Sequence, residues 1–384
     1  MLDLFVFIDA FGFAVHEQAP IFAEHFPAIR PLRSVLGYSS ACVPSILSGR
    51  TPQEHLHWSY FTKASEVASA GTPGIQVPWW IKAMPAGLRD RGRVRRHLSK
   101  AVARCNQIEG YFQLYQMPID ELGHYGHCEP KNIFTPGGLN RGDTIIDEIT
   151  AAGVPAWISD WHQSAEVNWQ SLEAAVTRPE LRFALMYDAE LDGWLHQHGK
   201  EDDGLAARLR AFLDHIQQVQ RRAETVHGDS VRVHVFSDHG MCTIREHLNP
   251  FPLIDQAGPG VRTVCDSTMI RAWYRDDAAQ TALRLALANQ KGLRLLSRDE
   301  LQAEGCNFAD NRFFDDVWLA DPGVLLVPSH MGRVPMTGMH GFHPSHEDSN
   351  AIFCSTDPSL APQAITDLRA VMSQAVHGSP ALSA

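Results

Sequence analysis

Residues 2–12 read LDLFVFIDAFG, an apolar run that ends in an aspartate, and this stretch decides the fold. The run lacks a basic start and a small-residue cleavage site, and it is too short to span a membrane. It therefore predicts a buried strand and not a signal peptide. In open α/β sheets, functional groups gather at the carboxyl ends of the strands. Asp9 follows this strand directly, so it is the first candidate for a functional site.

Along the rest of the chain, short apolar runs alternate with longer amphipathic stretches, which is typical of strands joined by crossover helices. The predicted strands are residues 2–8, 155–159, 183–187, 231–236, 267–274, 324–327 and 351–354. The predicted helices are residues 40–47, 164–176, 203–226, 278–289 and 362–376. This order predicts an α/β fold with a doubly wound, mostly parallel sheet flanked by helices.

The alternation is lost between residues 65 and 140, where Pro, Gly, Trp and Tyr dominate around one basic helix. This stretch predicts an inserted cap over residues 65–140 that determines substrate specificity. The catalytic core then comprises residues 1–64 and 141–384, with a smaller insertion near residues 258–312.

The composition limits the partners of the protein. The net charge is -11 and the pI is near 6.0, whereas nucleic acid polymers and anionic membranes bind basic surfaces. Neither partner is expected, and no apolar run is long enough for a membrane span. The segment RDRGRVRR at residues 89–96 is a local exception that could meet an anionic group or form a solvated helix face.

The cysteines bear on the compartment of the protein. There are seven of them, scattered and without CxxC pairs, which indicates neither a disulfide framework nor a zinc knuckle. We therefore expect a cytoplasmic location.

Six residues of the types that bind metals stand after predicted strands or in a loop bracketed by glycines. They are Asp9, Asp192, His196, Asp238, His239 and His340. Each pattern alone has a structural explanation, such as a helix cap, a surface pair or a turn. Together they offer the imidazole and carboxylate ligands that zinc accepts, in two groups. Two such ions can clamp the attacking and leaving oxygens of a displacement at phosphorus.

A nucleophile is predicted at the start of the helix at residues 40–47. Ser39 and Ser40 lie where backbone N–H groups and the helix dipole favour an anion, so a phosphoryl group would find donors there. Ser39, Ser40 or the adjacent Tyr38 could attack, and a serine that merely caps the helix is the structural alternative.

Five motifs resemble those of the alkaline phosphatase superfamily, and more closely its type I phosphodiesterase/nucleotide pyrophosphatase branch. In chain order they are FVFIDAFG, YSSACVPSILSGRTPQEHLHW, LDGWLHQHG, VFSDHGM and GMHGFHP. The resemblance covers most of the chain outside the cap and implies an alkaline phosphatase-like fold with two divalent ions, zinc or alternatively manganese. It assigns one ion to Asp9, Ser39, Asp238 and His239, and the other to Asp192, His196 and His340.

The register of the family motif selects Ser39 as the nucleophile, counted back from the Ser-Gly at 48 and 49. Ala41 and Cys42 stand where many relatives have Pro and a phosphate-binding Asn, which leaves the backbone N–H of Ser40 as the expected phosphate donor. His343 replaces an Asp of the late motif, and we assign it a supporting role beside the metal site as a hypothesis. The Cys-x-Pro-x-Arg signature of sulfatases is incomplete, so a sulfatase is disfavoured.

The resemblance therefore implies a metal-dependent hydrolase of a small phosphodiester or pyrophosphate that acts through a phosphoseryl intermediate. A phosphomonoesterase, a phosphonate hydrolase or a phospho-group transferase is the alternative, and a non-catalytic metal-binding relative is a further one. Aromatic side chains of the cap could stack on the substrate, and the alternative is that they only pack the core of a small cap. The candidates are Trp79, Trp80, Tyr111, Phe112 and Tyr115. The oligomeric state stays open.

Overall fold

A computed structural model describes residues 1–65 and 72–378 of the chain. Its strands are β1 (Leu2–Ile8), β2 (Ala28–Leu32), β3 (Phe61–Lys63), β4 (Tyr125–His127), β5 (Ala156–Ile158), β6 (Phe183–Asp188), β7 (Val231–Phe236), β8 (Cys242–Thr243), β9 (Glu246–Leu248), β10 (Val261–Cys265), β11 (Met269–Tyr274), β12 (Leu293–Leu295), β13 (Asp316–Ala320), β14 (Val324–Leu326), β15 (Gly338–Met339) and β16 (Ala351–Ser355).

The α-helices are α1 (Phe13–Gln18), α2 (Ser39–Ser48), α3 (Pro52–His55), α4 (Trp79–Lys82), α5 (Ala86–Arg89), α6 (Gly92–Cys105), α7 (Ile145–Ala152), α8 (Ala165–Ala175), α9 (Glu190–His198), α10 (Leu205–His227), α11 (Phe251–Gln256), α12 (Asp277–Leu287), α13 (Arg298–Ala303) and α14 (Leu368–His377). Short 3₁₀ helices occur at Ile21–Glu24, Ile119–His124, Glu347–Ser349 and Ile365–Asp367.

The central sheet has the strand order β2-β16-β7-β1-β6-β5. Strands β7, β1, β6 and β5 are parallel, whereas β16 runs antiparallel to both of its neighbours. The prediction of a mostly parallel sheet flanked by helices is therefore confirmed. The predicted strand at residues 324–327 forms as β14, but it pairs with β9 in a separate two-stranded sheet.

Helices cover both faces of β1, which explains why its sequence is apolar apart from Asp3, whose carboxylate pairs with Arg232. Successive side chains of a strand point to opposite faces. Leu4 and Val6 pack in one cluster with residues of α8 and α10, while Phe5 and Phe7 pack in another with residues of α2, α7 and α14. Each such side chain contributes about 1.5–3 kcal/mol when it is fully buried. The two clusters hold the sheet between two helical layers.

The residues predicted as a cap have an apolar cluster of their own, which includes Ile81, Leu98 and Val102. The basic helix forms as α6, and its Arg95 turns inward to donate hydrogen bonds to the backbone carbonyls of Leu114, Tyr115 and Met117. The division into a core and a cap over residues 65–140 stays a prediction, and residues 66–71 of it lie outside the described part of the chain.

The segment that follows the core strand β7 contains a second sheet, with the antiparallel order β10-β11-β13-β12. Its buried Trp273 and Val264 pack against the cluster of the predicted cap. None of the helices formed by residues 1–65 and 72–378 combines the length and the apolar character that crossing a bilayer requires.

Candidate active site

Three neighbouring parallel strands bring the first candidate ligands to one edge of the sheet. Strand β1 lies between β6 and β7, so their carboxyl ends are adjacent. Asp9 follows β1, Asp238 and His239 follow β7, and α9, which carries Asp192, follows β6. The parallel order of the sheet therefore collects side chains that are far apart in the sequence.

His340 reaches the same edge by a different route. It follows β15, which pairs with β8 through Met339 and Cys242, just after the loop that carries His239. The next strand of the central sheet, β16, runs antiparallel to β7, so its amino end lies at the carboxyl end of β7. The imidazole rings of His239 and His340 stack, with centroids 3.7 Å apart and planes inclined by 11°.

Asp9, Asp238 and His239 form one group of ligand atoms that lie within 4.8 Å of one another. His239 Nε2 is 3.2 Å from Asp238 Oδ2 and 3.5 Å from Asp9 Oδ1. The opposite ring nitrogen of His239 donates to the carbonyl of Gly240 at 3.0 Å, which leaves Nε2 as the nitrogen that faces the carboxylates.

Asp192, His196 and His340 meet beside the first group. Asp192 Oδ1 is 3.3 Å from His196 Nε2 and 3.5 Å from His340 Nε2. The Nδ1 atom of His196 donates to the carbonyl of Gly338 at 2.9 Å and so orients the ring. Nitrogen atoms of His239 and His340 also lie within 4.8 Å of a carboxylate oxygen of Asp192. The two groups are therefore contiguous.

These side chains fit divalent cations. Asp9 Oδ1, Asp192 Oδ1 and Asp238 Oδ2 are buried without a hydrogen-bond partner anywhere in the described residues. Burial, and to a lesser extent the nearby carboxylates, raises the pKa of Asp9 and of Asp238, to about 7 for Asp238. Buried carboxylates with unpaired oxygens are unfavourable unless a cation compensates them. Mixed carboxylate and imidazole ligands suit zinc and similar ions.

Ser39 lies against the first group. It is the first residue of α2, and its Oγ is 3.1 Å from His239 Nε2. The hydroxyl of Ser40 points elsewhere and donates to the carbonyl of Trp58 at 3.1 Å. Tyr38 is also engaged, because its hydroxyl lies 2.7 Å from Thr268 Oγ1 and accepts a hydrogen bond from the backbone N–H of Thr268 at 2.9 Å.

The positions beside Ser39 that depart from the family motif do not supply a side chain for phosphate. Ala41 and Cys42 are fully buried, and the Cys42 thiol lies 3.5 Å from the Ser34 hydroxyl. In an α-helix the first N–H groups have no intrahelical acceptor, so those of Ser39 and Ser40 remain as donors at the start of α2.

His343 faces away from the ligand groups. Its Nδ1 lies 2.7 Å from the hydroxyl of Ser345, and its Nε2 lies 3.6 Å from Glu304, which also pairs with Arg33. The hypothesis of a role beside the metal site receives no support from these contacts.

Tyr187 is a site residue that sequence reasoning missed. It lies on β6 directly opposite Phe7 of β1, and its hydroxyl donates to Asp9 Oδ2 at 2.6 Å. This bond holds one oxygen of Asp9 and leaves Oδ1 directed toward His239. Its position at the end of a predicted strand was visible in the sequence, but the pairing with Asp9 depends on the register of β1 and β6.

A cavity of about 510 Å³ opens beside the ligand groups. Asp9, Ser39, Ser40, Asp192, His196 and His340 line it, together with Tyr111 and Tyr115 from the predicted cap. Trp79 and Trp80 do not line it in the described part of the chain. They begin α4 instead, and the side chain of Trp79 is 80% exposed.

The cavity also contains residues that the sequence analysis did not select. Tyr60, Phe134 and Trp161 add aromatic surface, and Glu129 adds a carboxyl group. Glu129 is only 8% exposed, and burial raises its pKa from 4.5 to about 8. A single buried glutamate in an irregular segment has no periodic pattern that would reveal it.

The sequence matches a known protein family. The sequence model of the family "Type I phosphodiesterase / nucleotide pyrophosphatase" matches residues 38–343, which is well over half of the chain. Asp9 lies ahead of this segment, at the end of β1. No curated protein sequence is significantly similar to the chain.

Solved structures share the fold at low sequence identity. Murine ectonucleotide pyrophosphatase/phosphodiesterase 5 is similar with a TM-score of 0.68 and 13% identity, over 98% of this chain and 95% of that one. The human protein gives a TM-score of 0.66 and 12% identity over the same shares. An inactive variant of the murine protein, in complex with AMP, gives 0.66 and 13% over the same shares.

These likenesses show an alkaline phosphatase-like fold, as the motifs implied. The match of the family model covers the segment that contains Ser39, both candidate ligands of α9, the Asp238-His239 pair and His340. The chain belongs to the type I phosphodiesterase/nucleotide pyrophosphatase family and is a phosphoric ester hydrolase.

Proposed function

We propose that the protein hydrolyses a small phosphodiester at a site for two divalent cations, with Ser39 as the nucleophile. The observation that carries this proposal is the arrangement of three carboxylate oxygens without a hydrogen-bond partner in the described residues and three imidazoles around the hydroxyl of Ser39. The arrangement lies at the edge of the cavity and is contiguous, so both ligand groups can act on one phosphoryl group.

Asp9, Asp238, His239 and Ser39 would hold one cation, and Asp192, His196 and His340 the other. Zinc is the expected ion because imidazoles make up half of the six side-chain ligands other than Ser39, and manganese is the alternative. When bound, such ions lower the pKa of a nearby hydroxyl and neutralise the negative charge on phosphoryl oxygens.

The contacts of the hydroxyl groups support Ser39 over its neighbours. Ser40 and Tyr38 each use the hydroxyl in a hydrogen bond outside the ligand groups, while that of Ser39 faces the ligand groups. Attack by Ser39 Oγ on phosphorus forms a new P–O bond and breaks the bond to the leaving alcohol. The leaving alcohol departs with a proton, and the phosphoseryl intermediate keeps the other alcohol. Water then hydrolyses this intermediate, which releases a phosphate monoester and regenerates the serine.

Two features of the chain position the phosphoryl group for this attack. The N–H groups of Ser39 and Ser40 at the start of α2 can donate to a phosphoryl oxygen, and the helix dipole favours the negative charge there. Tyr187 holds Asp9 in place through its hydroxyl. These groups are in position before substrate arrives, which reduces the cost of reorganisation during the reaction.

The lining of the cavity bears on the substrate. AMP occupies the murine neighbour, so a nucleotide ester is one candidate for this chain as well. The residues that line the cavity in the described part of the chain include no Lys or Arg. A pyrophosphate carries more negative charge than a diester and would have only the cations to compensate it, which favours a phosphodiester with a single charge.

The proposal is tested by turnover of bis-p-nitrophenyl phosphate and p-nitrophenyl phosphate after loading the protein with zinc or manganese. We expect the diester to be hydrolysed with a kcat/KM at least about tenfold higher than the monoester, because a monoester carries an additional charge. The opposite ratio would identify a phosphomonoesterase. Absence of turnover with both metals and both esters would contradict the proposal.

A further inference from the structure

Glu129 lines the cavity but has neither a role in the proposed reaction nor a partner in the described part of the chain. It is 8% exposed and lines the cavity, yet its carboxyl group has no hydrogen bond or ion pair with any residue in 1–65 or 72–378. Buried polar groups almost always have a partner, and exceptions cluster at functional sites. A ligand that enters the cavity can supply the missing partner.

The chain holds Glu129 beside the tyrosines of the cavity. The N–H of Cys128 donates to the carbonyl of Tyr60 at 2.9 Å and extends the β3–β4 ladder to the residue before Glu129. Gly110 packs on the same segment so closely that a Cβ there would lie 2.3 Å from the Glu129 carbonyl oxygen. The following residue, Tyr111, is thereby held next to Glu129.

Aromatic rings surround this end of the cavity. Tyr60 lies 5.4 Å from Tyr111 and 5.5 Å from Tyr115 between ring centroids, and Tyr111 lies 6.1 Å from Trp161. All four rings line the cavity, as does Glu129. Faces of tyrosine and tryptophan rings attract cations, most strongly where water is excluded.

The other acidic residues of the cavity either pair with a basic side chain or belong to the candidate metal-binding groups. Asp266 pairs with the buried Arg271 at 2.8 Å, while Asp9 and Asp192 belong to the ligand groups. No Lys or Arg lines the cavity within the described ranges, so Glu129 has no cation of the protein to meet. The acidic group of this recess that lacks a partner is therefore Glu129.

We propose that Glu129 and the surrounding Tyr60, Tyr111, Tyr115 and Trp161 form a subsite for an alkylammonium group. The substrate is then a phosphodiester in which one alcohol carries a positively charged amine. This inference rests on the proposed hydrolysis for the position of the phosphoryl group, but the binding of the cation is independent of turnover. The raised pKa of Glu129 agrees with it, because burial holds a carboxyl group protonated while no cation is near, and a bound ammonium group favours release of that proton.

A nucleobase is a poorer match for these residues. It would stack on the rings, but its neutral edge would leave the charge of an ionised Glu129 uncompensated. A second phosphate is worse, because it would bring negative charge into a recess that contains a carboxyl group and no basic side chain.

The first experiment measures binding without turnover. Choline and its uncharged isostere 3,3-dimethylbutanol are titrated into the full-length protein by isothermal titration calorimetry. We expect choline to bind at least about tenfold more tightly, and we expect Glu129→Gln to remove most of the difference because it removes the charge and keeps the shape. Glu109→Gln, at an exposed glutamate on the loop that packs against this segment, is the matched control and should bind choline as the wild type does.

The second experiment uses turnover of the p-nitrophenyl phosphodiesters of the same two alcohols. The ratio of kcat/KM for the cationic ester to that for the neutral ester should exceed about ten and should fall to near one in Glu129→Gln. Equal affinity for the two alcohols in the wild type would overturn the subsite, as would an unchanged ratio in the variant. A preference for the p-nitrophenyl ester of AMP over the cationic ester would also overturn it.

The two experiments separate the two proposals. If neither ester is hydrolysed but choline binds in a Glu129-dependent way, the subsite stands and the proposed hydrolysis fails. If both esters are hydrolysed at equal rates, the hydrolysis stands and the subsite fails. The wild-type comparison of the two alcohols needs no variant, so it remains decisive even if Glu129→Gln does not fold.

Discussion

The ring of His239 stacks on the ring of His340 with centroids 3.7 Å apart, although the two residues follow different strands. The Nε2 atom of His239 faces Asp9 and Asp238, whereas that of His340 faces Asp192. This stacked pair joins the two ligand groups into one site. The predictions below test the groups separately.

Removing the His340 side chain should abolish metal binding by one ligand group and leave metal binding by the other group intact. We expect His340→Ala to lower the metal content by about one equivalent per chain and to abolish most turnover, because two side chains then remain in that group. Elemental analysis of the zinc-loaded protein measures the change. His343→Ala is the matched control, since this nearby histidine contacts Ser345 and Glu304 instead. Unchanged metal content in His340→Ala would remove this residue from the ligand set.

Replacing each of the two adjacent serines by alanine should have different effects on turnover and on stability. Ser39→Ala should reduce kcat by about a thousandfold or more while it retains two metal equivalents, because it removes the nucleophile and only one ligand atom. Ser40→Ala should keep turnover and lose about 1 kcal/mol of stability with its hydrogen bond to Trp58. Steady-state kinetics and thermal denaturation of both variants check this. An active Ser39→Ala beside an inactive Ser40→Ala would show that the nucleophile is one residue later.

Tyr187→Phe should weaken the metal site without disrupting the fold. The variant loses the hydroxyl that donates to Asp9 Oδ2, so Asp9 is less firmly oriented. Loss of such a supporting hydrogen bond typically weakens metal affinity about 10- to 100-fold. Competition with a chelating dye measures the zinc affinity. Tyr274→Phe removes a comparable hydroxyl bond to Asp316 in the second sheet and should leave this affinity unchanged. Equal losses in the two variants would indicate a general effect on stability.

The stability of the protein should depend on pH through Glu129. The pKa of Glu129 is raised from 4.5 to about 8 because burial penalises the carboxylate. Between these values the folded chain keeps a proton that the unfolded chain has released. The contribution of Glu129 to the free energy of unfolding therefore falls as the pH rises from 4.5 to about 8.

Glu129→Gln abolishes this dependence. The melting temperature of the variant relative to the wild type should therefore be higher at pH 8 than at pH 5, as measured by thermal denaturation of the metal-loaded proteins. Glu109→Gln carries the same change of charge at an exposed position and should show no such trend. A constant difference between Glu129→Gln and the wild type across this range would mean that Glu129 is already ionised in the fold.

Gly110 should tolerate no side chain. A Cβ at this position would lie 2.3 Å and 2.6 Å from the carbonyl oxygens of Glu129 and Lys131, so the backbone would have to move. We expect Gly110→Ala to cost about 1–3 kcal/mol, the usual range for overpacking. Gly87→Ala, where the added Cβ meets nothing within 4 Å in the described structure, should be neutral or stabilising by up to about 1 kcal/mol. Equal melting temperatures for Gly110→Ala and the wild type would contradict the close approach.

The sequence alone determined the core strands and the residues that follow them. Strands β1 and β7 form where residues 2–8 and 231–236 were predicted, because a buried parallel strand is a short, mostly apolar run that is recognised locally. Asp9, Asp238 and His239 could be selected because their chemical types and their positions after strands are both properties of the linear chain. The family motifs selected Ser39 in the same way.

Only the tertiary structure decided which side chains meet. The antiparallel direction of β16 and the pairing of β15 with β8 place His340 beside His239, and neither is a property of a local segment. Packing also decided that Tyr111 and Glu129 line the cavity while Trp79 stays exposed. Local sequence patterns indicate which residues are apolar. Which residues line a cavity depends on contacts between segments that are distant in the chain.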